Sequence, residues 1–133
     1  MAKIHGSDPT APSLTLLGHT DVVPANESET VTFRTAQAST TSPIDTPLWD
    51  ALARVSGLFY PGATTVPYLA VGATDARFYR GLGAVAYGFG LHGRAITFED
   101  YGAMFHGIDE RVDVESLHLS TEMWIALAAD FVA

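Results

Sequence analysis

Hydrophobic and polar positions change their period several times along the chain, which predicts both strands and helices. Residues 14–17 form a compact apolar run of the kind that is typical of a strand buried on both faces. Residues 30–36, 66–71 and 84–89 are rich in β-branched and aromatic side chains and are predicted to be strands. Residues 2–6 are short enough for an edge strand, and Pro67 suits only the first position of its strand.

A first long helix is predicted after residue 44. Either Asp45 or Thr46 can cap it, and a proline follows in its first turn, where a missing N–H group has no cost. Its apolar positions recur at helical spacing: Leu48, Leu52 and Val55. Gly57 is predicted to end this helix.

Two further helices are predicted, a short one over residues 75–79 and a long one over residues 114–132. Asp113 is the expected cap of the long helix, with Glu115 near its positive end. One face of the long helix is predicted from Leu117, Thr121, Trp124 and Ala128. A second set widens that face: Leu119, Met123 and Leu127.

The order of these elements predicts the fold class. Strands come first, and helices then alternate with strands, which indicates an α/β fold with a mixed sheet flanked by helices. We expect one such domain over residues 1–133. Ligand sites in these folds lie at the carboxyl ends of strands, where residues 18–24, 72–77 and 106–110 are expected.

Composition narrows the classes of function. The formal net charge is −8 with only seven Lys and Arg residues, which argues against nucleic-acid and anionic-membrane surfaces. Apolar runs are far shorter than the roughly 20 residues of a membrane span. We therefore expect a cytoplasmic protein that binds neither nucleic acid nor membrane. Since the chain has no cysteine, any metal must be held by His, Asp or Glu.

His19 and Asp21 are the first candidates for such chemistry. They lie two residues apart at the end of the apolar run 14–17, so both side chains would face the same side of a strand. An imidazole there can bind a metal while a nearby carboxylate fixes the ring tautomer. The plainer alternative is a surface histidine beside a turn-capping aspartate.

Three segments together resemble one protein family. They are GHTDVVP at residues 18–24, GATDAR at residues 72–77 and FHGIDERV at residues 105–112. All three resemble, in the same order, signatures of the co-catalytic zinc peptidases and deacylases. That family includes acetylornithine deacetylase, succinyl-diaminopimelate desuccinylase, carboxypeptidase S and the aminoacylases.

The resemblance implies a reduced zinc-peptidase catalytic domain and assigns its metal site. His19 would bind one of the family's two zinc ions and His106 the other. Asp21 would be the catalytic carboxylate that orients the His19 ring. The implied activity is hydrolysis of the amide bond in N-acyl amino acids or small peptides through a metal-bound water.

The resemblance also assigns residues near the substrate. Thr74 and Arg77 would contact it, since an arginine suits a carboxylate through paired hydrogen bonds. The alternative for Arg77 is a structural ion pair, perhaps with Asp75. Asp109 and Glu110 would support the loop of His106, or they are ordinary exposed acids.

The chain departs from the family pattern near residues 25–30. There the family has a bridging aspartate, further carboxylate ligands, a glutamate base in a Glu-Glu pair and a lid domain, whereas this chain has a short polar connector and no Glu-Glu pair. A catalytic zinc typically needs three protein ligands, so we expect none or one zinc ion and impaired or absent hydrolysis.

Two histories fit this departure. The chain is either a zinc peptidase with an internal deletion or the joined pieces of a longer protein. The alternative function is a non-catalytic binding or oligomerisation module. Loss of a domain would uncover apolar surface and strand edges, so we expect a homo-oligomer.

Overall fold

The computed structural model describes residues 39–70, 72–106 and 108–132, and this part of the chain is helical. Its helices are α1 (Pro47–Phe59), α2 (Ala76–Gly81), α3 (Phe98–Gly102) and α4 (Val114–Val132). The two long helices, α1 and α4, pack against each other. No helix in the described ranges is both long and apolar enough to cross a membrane.

Helix α1 begins as predicted and ends later than predicted. The hydroxyl of Thr46 accepts a hydrogen bond from the backbone N–H of Trp49 at 3.2 Å, which confirms Thr46 as the cap. The helix continues past Gly57 to Phe59, so the predicted end at Gly57 is wrong. The helix ends there because a residue that precedes a proline, here Tyr60, disfavours the helical conformation.

Helix α4 has the predicted bounds and the predicted cap. The Asp113 carboxylate accepts a hydrogen bond from the backbone N–H of Ser116 at 2.8 Å. Hydrogen bonds from Ser116 hold the pKa of Asp113 below its ordinary value, and His92 contributes in the same direction. The cap therefore carries a negative charge at the positive end of α4.

The buried face of α4 differs from the face that we predicted. Met123 and Leu127 are fully buried, as expected for the second predicted set, but Leu117 is 55% exposed and Thr121 is also exposed. Ser116 belongs to the buried face and is only 3% exposed. Ser116 can be buried because its hydroxyl accepts a hydrogen bond from the backbone N–H of Gly93 at 2.7 Å.

The core lies between α1, α4 and the segment that precedes α3. Its buried members are Ala51, Leu52, Val55, Leu91, Met123 and Leu127. Partly buried aromatic and aliphatic side chains surround them, among them Tyr87, Phe89 and Trp124. Burial of these side chains is what holds the two long helices together.

The predicted fold class, an α/β mixed sheet flanked by helices, is wrong for the described part of the chain. Residues 39–70, 72–106 and 108–132 contain no strand and hence no sheet. Within residues 66–70, Pro67 has no N–H to give to a ladder, while Val66, Tyr68 and Leu69 are 66–73% exposed. The strands predicted over residues 2–6, 14–17 and 30–36 lie outside the described residues.

The predicted strand over residues 84–89 fails for a specific reason. In the segment that runs from residue 84 to residue 93, serine hydroxyls rather than a neighbouring strand bond the backbone at three residues, of which Ala86 lies within the predicted strand. The pairs are Ser42 with Ala86, Ser120 with Leu91, and Ser116 with Gly93. The Ser120 hydroxyl accepts from Leu91 N at 3.0 Å and donates to Leu91 O at 2.8 Å, so one side chain makes both bonds that a strand partner would make.

Candidate functional site

His106 lies on a loop between α3 and α4 that is closed by its own backbone. The N–H of Arg111 donates to the carbonyl of Met104 at 2.9 Å, so the two ends of the loop are held together. Two of its residues, His106 and Asp109, have left-handed backbone angles, with φ of 58° and 63°. His and Asp adopt this conformation more readily than bulky residues do. The result is an exposed imidazole on a tight turn.

The imidazole of His106 is the last of four aromatic rings that lie in a row. The ring centroids are 4.1 Å apart between His92 and Tyr101, 5.1 Å between Tyr101 and Phe105, and 5.1 Å between Phe105 and His106. These separations are close to those of interacting aromatic pairs. The row connects Phe105 and His106 of the loop with Tyr101 of α3, and Tyr101 in turn with His92.

Sequence reasoning missed both α3 and the aromatic row, although the signal for α3 was present. The hydroxyl of Thr97 accepts from Asp100 N at 3.0 Å, and the Asp100 carboxylate accepts from Thr97, which is a reciprocal helix cap. This spacing of threonine and acid is a recognised helix start.

The same cap sets the charge at the start of α3. Hydrogen bonds from the side chain and backbone of Thr97 hold the pKa of Asp100 below its ordinary value. The charged carboxylate therefore remains at the N-terminus of α3 over the neutral pH range, where the helix dipole favours it.

Asp109 and Glu110, predicted to support the loop of His106, line a shallow open depression with Arg111. The Arg111 guanidinium donates to the backbone carbonyl of Asp109 at 3.0 Å. Asp109 thus contributes to the loop through its backbone and its left-handed turn. Both carboxylates are exposed.

The second predicted segment starts α2. The hydroxyl of Thr74 accepts from Ala76 N at 3.2 Å, so it helps to begin the helix. Arg77 is half-buried, with its guanidinium carbon 4.6 Å from the centre of the Phe78 ring. Within the described residues, Arg77 forms no salt bridge with Asp75, the ion pair that we had considered for it.

Arg80 fixes the position of α2. Its guanidinium donates to the carbonyl of Ala86 at 2.6 Å, to the carbonyl of Thr40 at 3.1 Å and to the hydroxyl of Ser42 at 3.1 Å. One side chain therefore ties α2 to the two segments that flank it in space. Asp75, at the other end of α2, lines a separate open depression with Phe78, Tyr79 and Leu82.

The described residues do not bring three metal-competent side chains together. No group of three His, Asp or Glu residues converges anywhere in the described ranges. His106 therefore offers a single imidazole, which does not fit a catalytic zinc with its usual three protein ligands. His19 and Asp21 lie outside the described residues.

Comparison with known proteins gave no relative. No protein family, no curated protein and no solved structure matched the chain. The resemblance to zinc peptidases and deacylases therefore rests on the three sequence segments alone.

Proposed function

We propose that this chain derives from a zinc-dependent hydrolase of N-acyl amino acids or small peptides, and that its own hydrolytic activity is impaired or absent. The observation that supports this most is the presentation of His106. It is the one proposed metal ligand within the described residues, and it stands exposed on a closed loop with a left-handed backbone. Unusual backbone conformations of this kind concentrate at functional positions.

The proposed impairment follows from the missing ligands. No group of three His, Asp or Glu residues that includes His106 converges in the described ranges. With His19 as its partner, the chain would supply two imidazoles to one ion, and Asp21 would orient the His19 ring. The chain also has no Glu-Glu pair, the element that supplies the base in the family it resembles. We therefore derive no catalytic step through a metal.

In this proposal Arg77 and Thr74 bind the substrate. Arg77 is half-buried beside Phe78 and has a guanidinium suited to a carboxylate, the group that every N-acyl amino acid carries. Thr74 and Asp75 stand at the start of the same short helix. There Thr74 would contact the substrate beside Arg77, and Asp75 would support them.

A zinc titration of four proteins tests the proposed ligands. We expect the unmodified chain to bind zinc weakly, and His19→Ala or His106→Ala to weaken that binding at least tenfold. His118→Ala is the matched control, because this histidine is 70% exposed on α4 and pairs only with Glu122. Equal weakening in all three variants, or full binding by His106→Ala, would contradict the proposal.

Hydrolysis is tested separately with a panel of N-acetyl amino acids and dipeptides in excess zinc. We expect the rate to equal that of zinc without protein. A rate well above it that His106→Ala abolishes would show that the site is complete and that the proposed impairment is wrong. A rate unaffected by His106→Ala would assign the hydrolysis to other residues.

A second candidate, a non-catalytic binding or oligomerisation module, is favoured by the exposed apolar surface. Large apolar side chains of the described residues are more than half exposed, among them Leu58, Tyr68, Leu69, Phe98 and Ile108. Within this set the rings of Tyr68 and Phe98 lie 5.9 Å apart, and exposed apolar surface marks interaction sites where it is contiguous. Sedimentation of the purified chain distinguishes this candidate, since it requires self-association or capture of a partner without metal.

A further inference from the structure

Helix α4 carries a second apolar stripe that faces away from α1. Its members recur three or four residues apart, at positions 114, 117, 121, 125 and 128, and so share one face of the helix. Val114, Leu117 and Ile125 are 83%, 55% and 66% exposed. Thr121 is exposed and Ala128 is half-buried. This stripe is distinct from the buried face of Ser116, Met123 and Leu127.

Charge is kept off this stripe, although the chain as a whole has a net charge of −8. The acids of α4 are Glu115, Glu122 and Asp130. At about 100° per residue, each lies 100° or more around the helix from Thr121. Asp130 pairs with Arg54 of α1 at 2.7 Å, and Glu122 pairs with His118 at 3.3 Å. A second copy could therefore approach the stripe without bringing like charges into contact.

The stripe is symmetric about Thr121, and we propose that a second copy of this chain docks on it. In an antiparallel pair with its two-fold axis at Thr121, Val114 faces Ala128 of the other copy and Leu117 faces Ile125. Each patch then contacts an identical patch, as two-fold dimers require. The positive start of each helix also lies beside the negative end of the other.

The expected affinity follows from the size of this surface. A helix of 19 residues is about 28 Å long, and one pair of helices buries less than the roughly 1,600 Å² of a standard interface. We therefore expect a dimer that dissociates in the micromolar range. This inference does not depend on the proposed hydrolase ancestry.

Charge substitutions at the two-fold axis test the proposal. In Thr121→Glu or Thr121→Lys, each dimer would place two like charges opposite each other, so both variants should sediment as monomers at concentrations where the unmodified chain is a dimer. An equimolar mixture of the two variants should restore the dimer. Thr121 is exposed and, among the described residues, its hydroxyl donates to the carbonyl of Leu117 in the same helix, so neither variant disturbs the core.

Ala53→Glu is the matched control, since it adds the same charge at an exposed position of α1. It should dimerise like the unmodified chain, with less than a threefold change in dissociation constant. If the unmodified chain is still a monomer at about 100 µM, which is above the expected micromolar dissociation constant, the proposal is overturned. Dimers of Thr121→Glu that match the unmodified chain, or a mixture that stays monomeric, would overturn it equally.

Discussion

Serine hydroxyls hold the backbone of the segment from residue 84 to residue 93 at particular residues. Ser42 and Ser120 each bond both the N–H and the carbonyl of one residue in that segment. Backbone groups in a half-buried segment need such partners, because an unpaired buried polar group costs as much as a lost hydrogen bond. Short polar side chains on helix and loop thus replace the ladder that the apolar pattern had predicted.

Removal of one of these hydroxyls should be costly. Ser120→Ala leaves both the N–H and the carbonyl of Leu91 without their partner, so we expect a loss of about 1–3 kcal/mol in the free energy of unfolding. Thr121→Ala is the control, because its hydroxyl is exposed and bonds within the same helix. Urea unfolding measures both. An equal effect of the two substitutions would contradict the role of Ser120.

The cap of α4 should make stability depend on acid pH. Hydrogen bonds from Ser116 lower the pKa of Asp113 in the folded protein. Its contribution is therefore present above the ordinary pKa, near 3.9, and is lost as pH falls through the lower folded value. We expect Asp113→Ala to lower the melting temperature at pH 7 and the difference from the unmodified chain to shrink below about pH 4. A difference independent of pH would contradict this account.

At the scale of elements, cap signals predicted the starts of α1 and α4, whereas residues 66–70 and 84–89 do not form the strands predicted for them. Thr46 and Asp113 mark the starts of α1 and α4 because their side chains bond N–H groups in the next turn, which is local chemistry. A strand depends on a partner elsewhere in the chain, and residues 66–70 have none among the described residues. The capping signal of Thr97 and Asp100 was equally local and would have found α3.

The contact between α1 and α4 should dominate stability. Leu127→Ala empties a fully buried position in the core and should cost about 2–5 kcal/mol in the free energy of unfolding. Leu117→Ala removes the same atoms from an exposed position of the same helix and should cost less than about 1 kcal/mol. Urea unfolding at submicromolar concentration compares the two without self-association. Similar losses would mean that the assigned buried face of α4 is wrong.

At the scale of the whole molecule, the sequence singled out His106 but not the arrangement around it. The HGxDE-like segment drew attention to His106, which the structure places exposed on a closed loop. The short helix predicted over residues 75–79 is α2, but nothing in the sequence showed that Arg80 would hold it in place. The aromatic row that begins at His92 could not be predicted from the sequence, because its contacts join residues that only the fold brings together. His19 and Asp21 lie outside the described residues, so their part of the site stays a prediction.

Zinc stoichiometry tests the central claim most directly, namely that this chain retains too few ligands for the two-metal site that its motifs suggest. The purified chain is dialysed to equilibrium against micromolar zinc and then against metal-free buffer, and the zinc that remains is measured per chain. We expect less than one tightly held ion, because no group of three potential ligands forms around His106 among the described residues. Two retained ions per chain would contradict the claim and would require ligands supplied from elsewhere in the chain or by another copy.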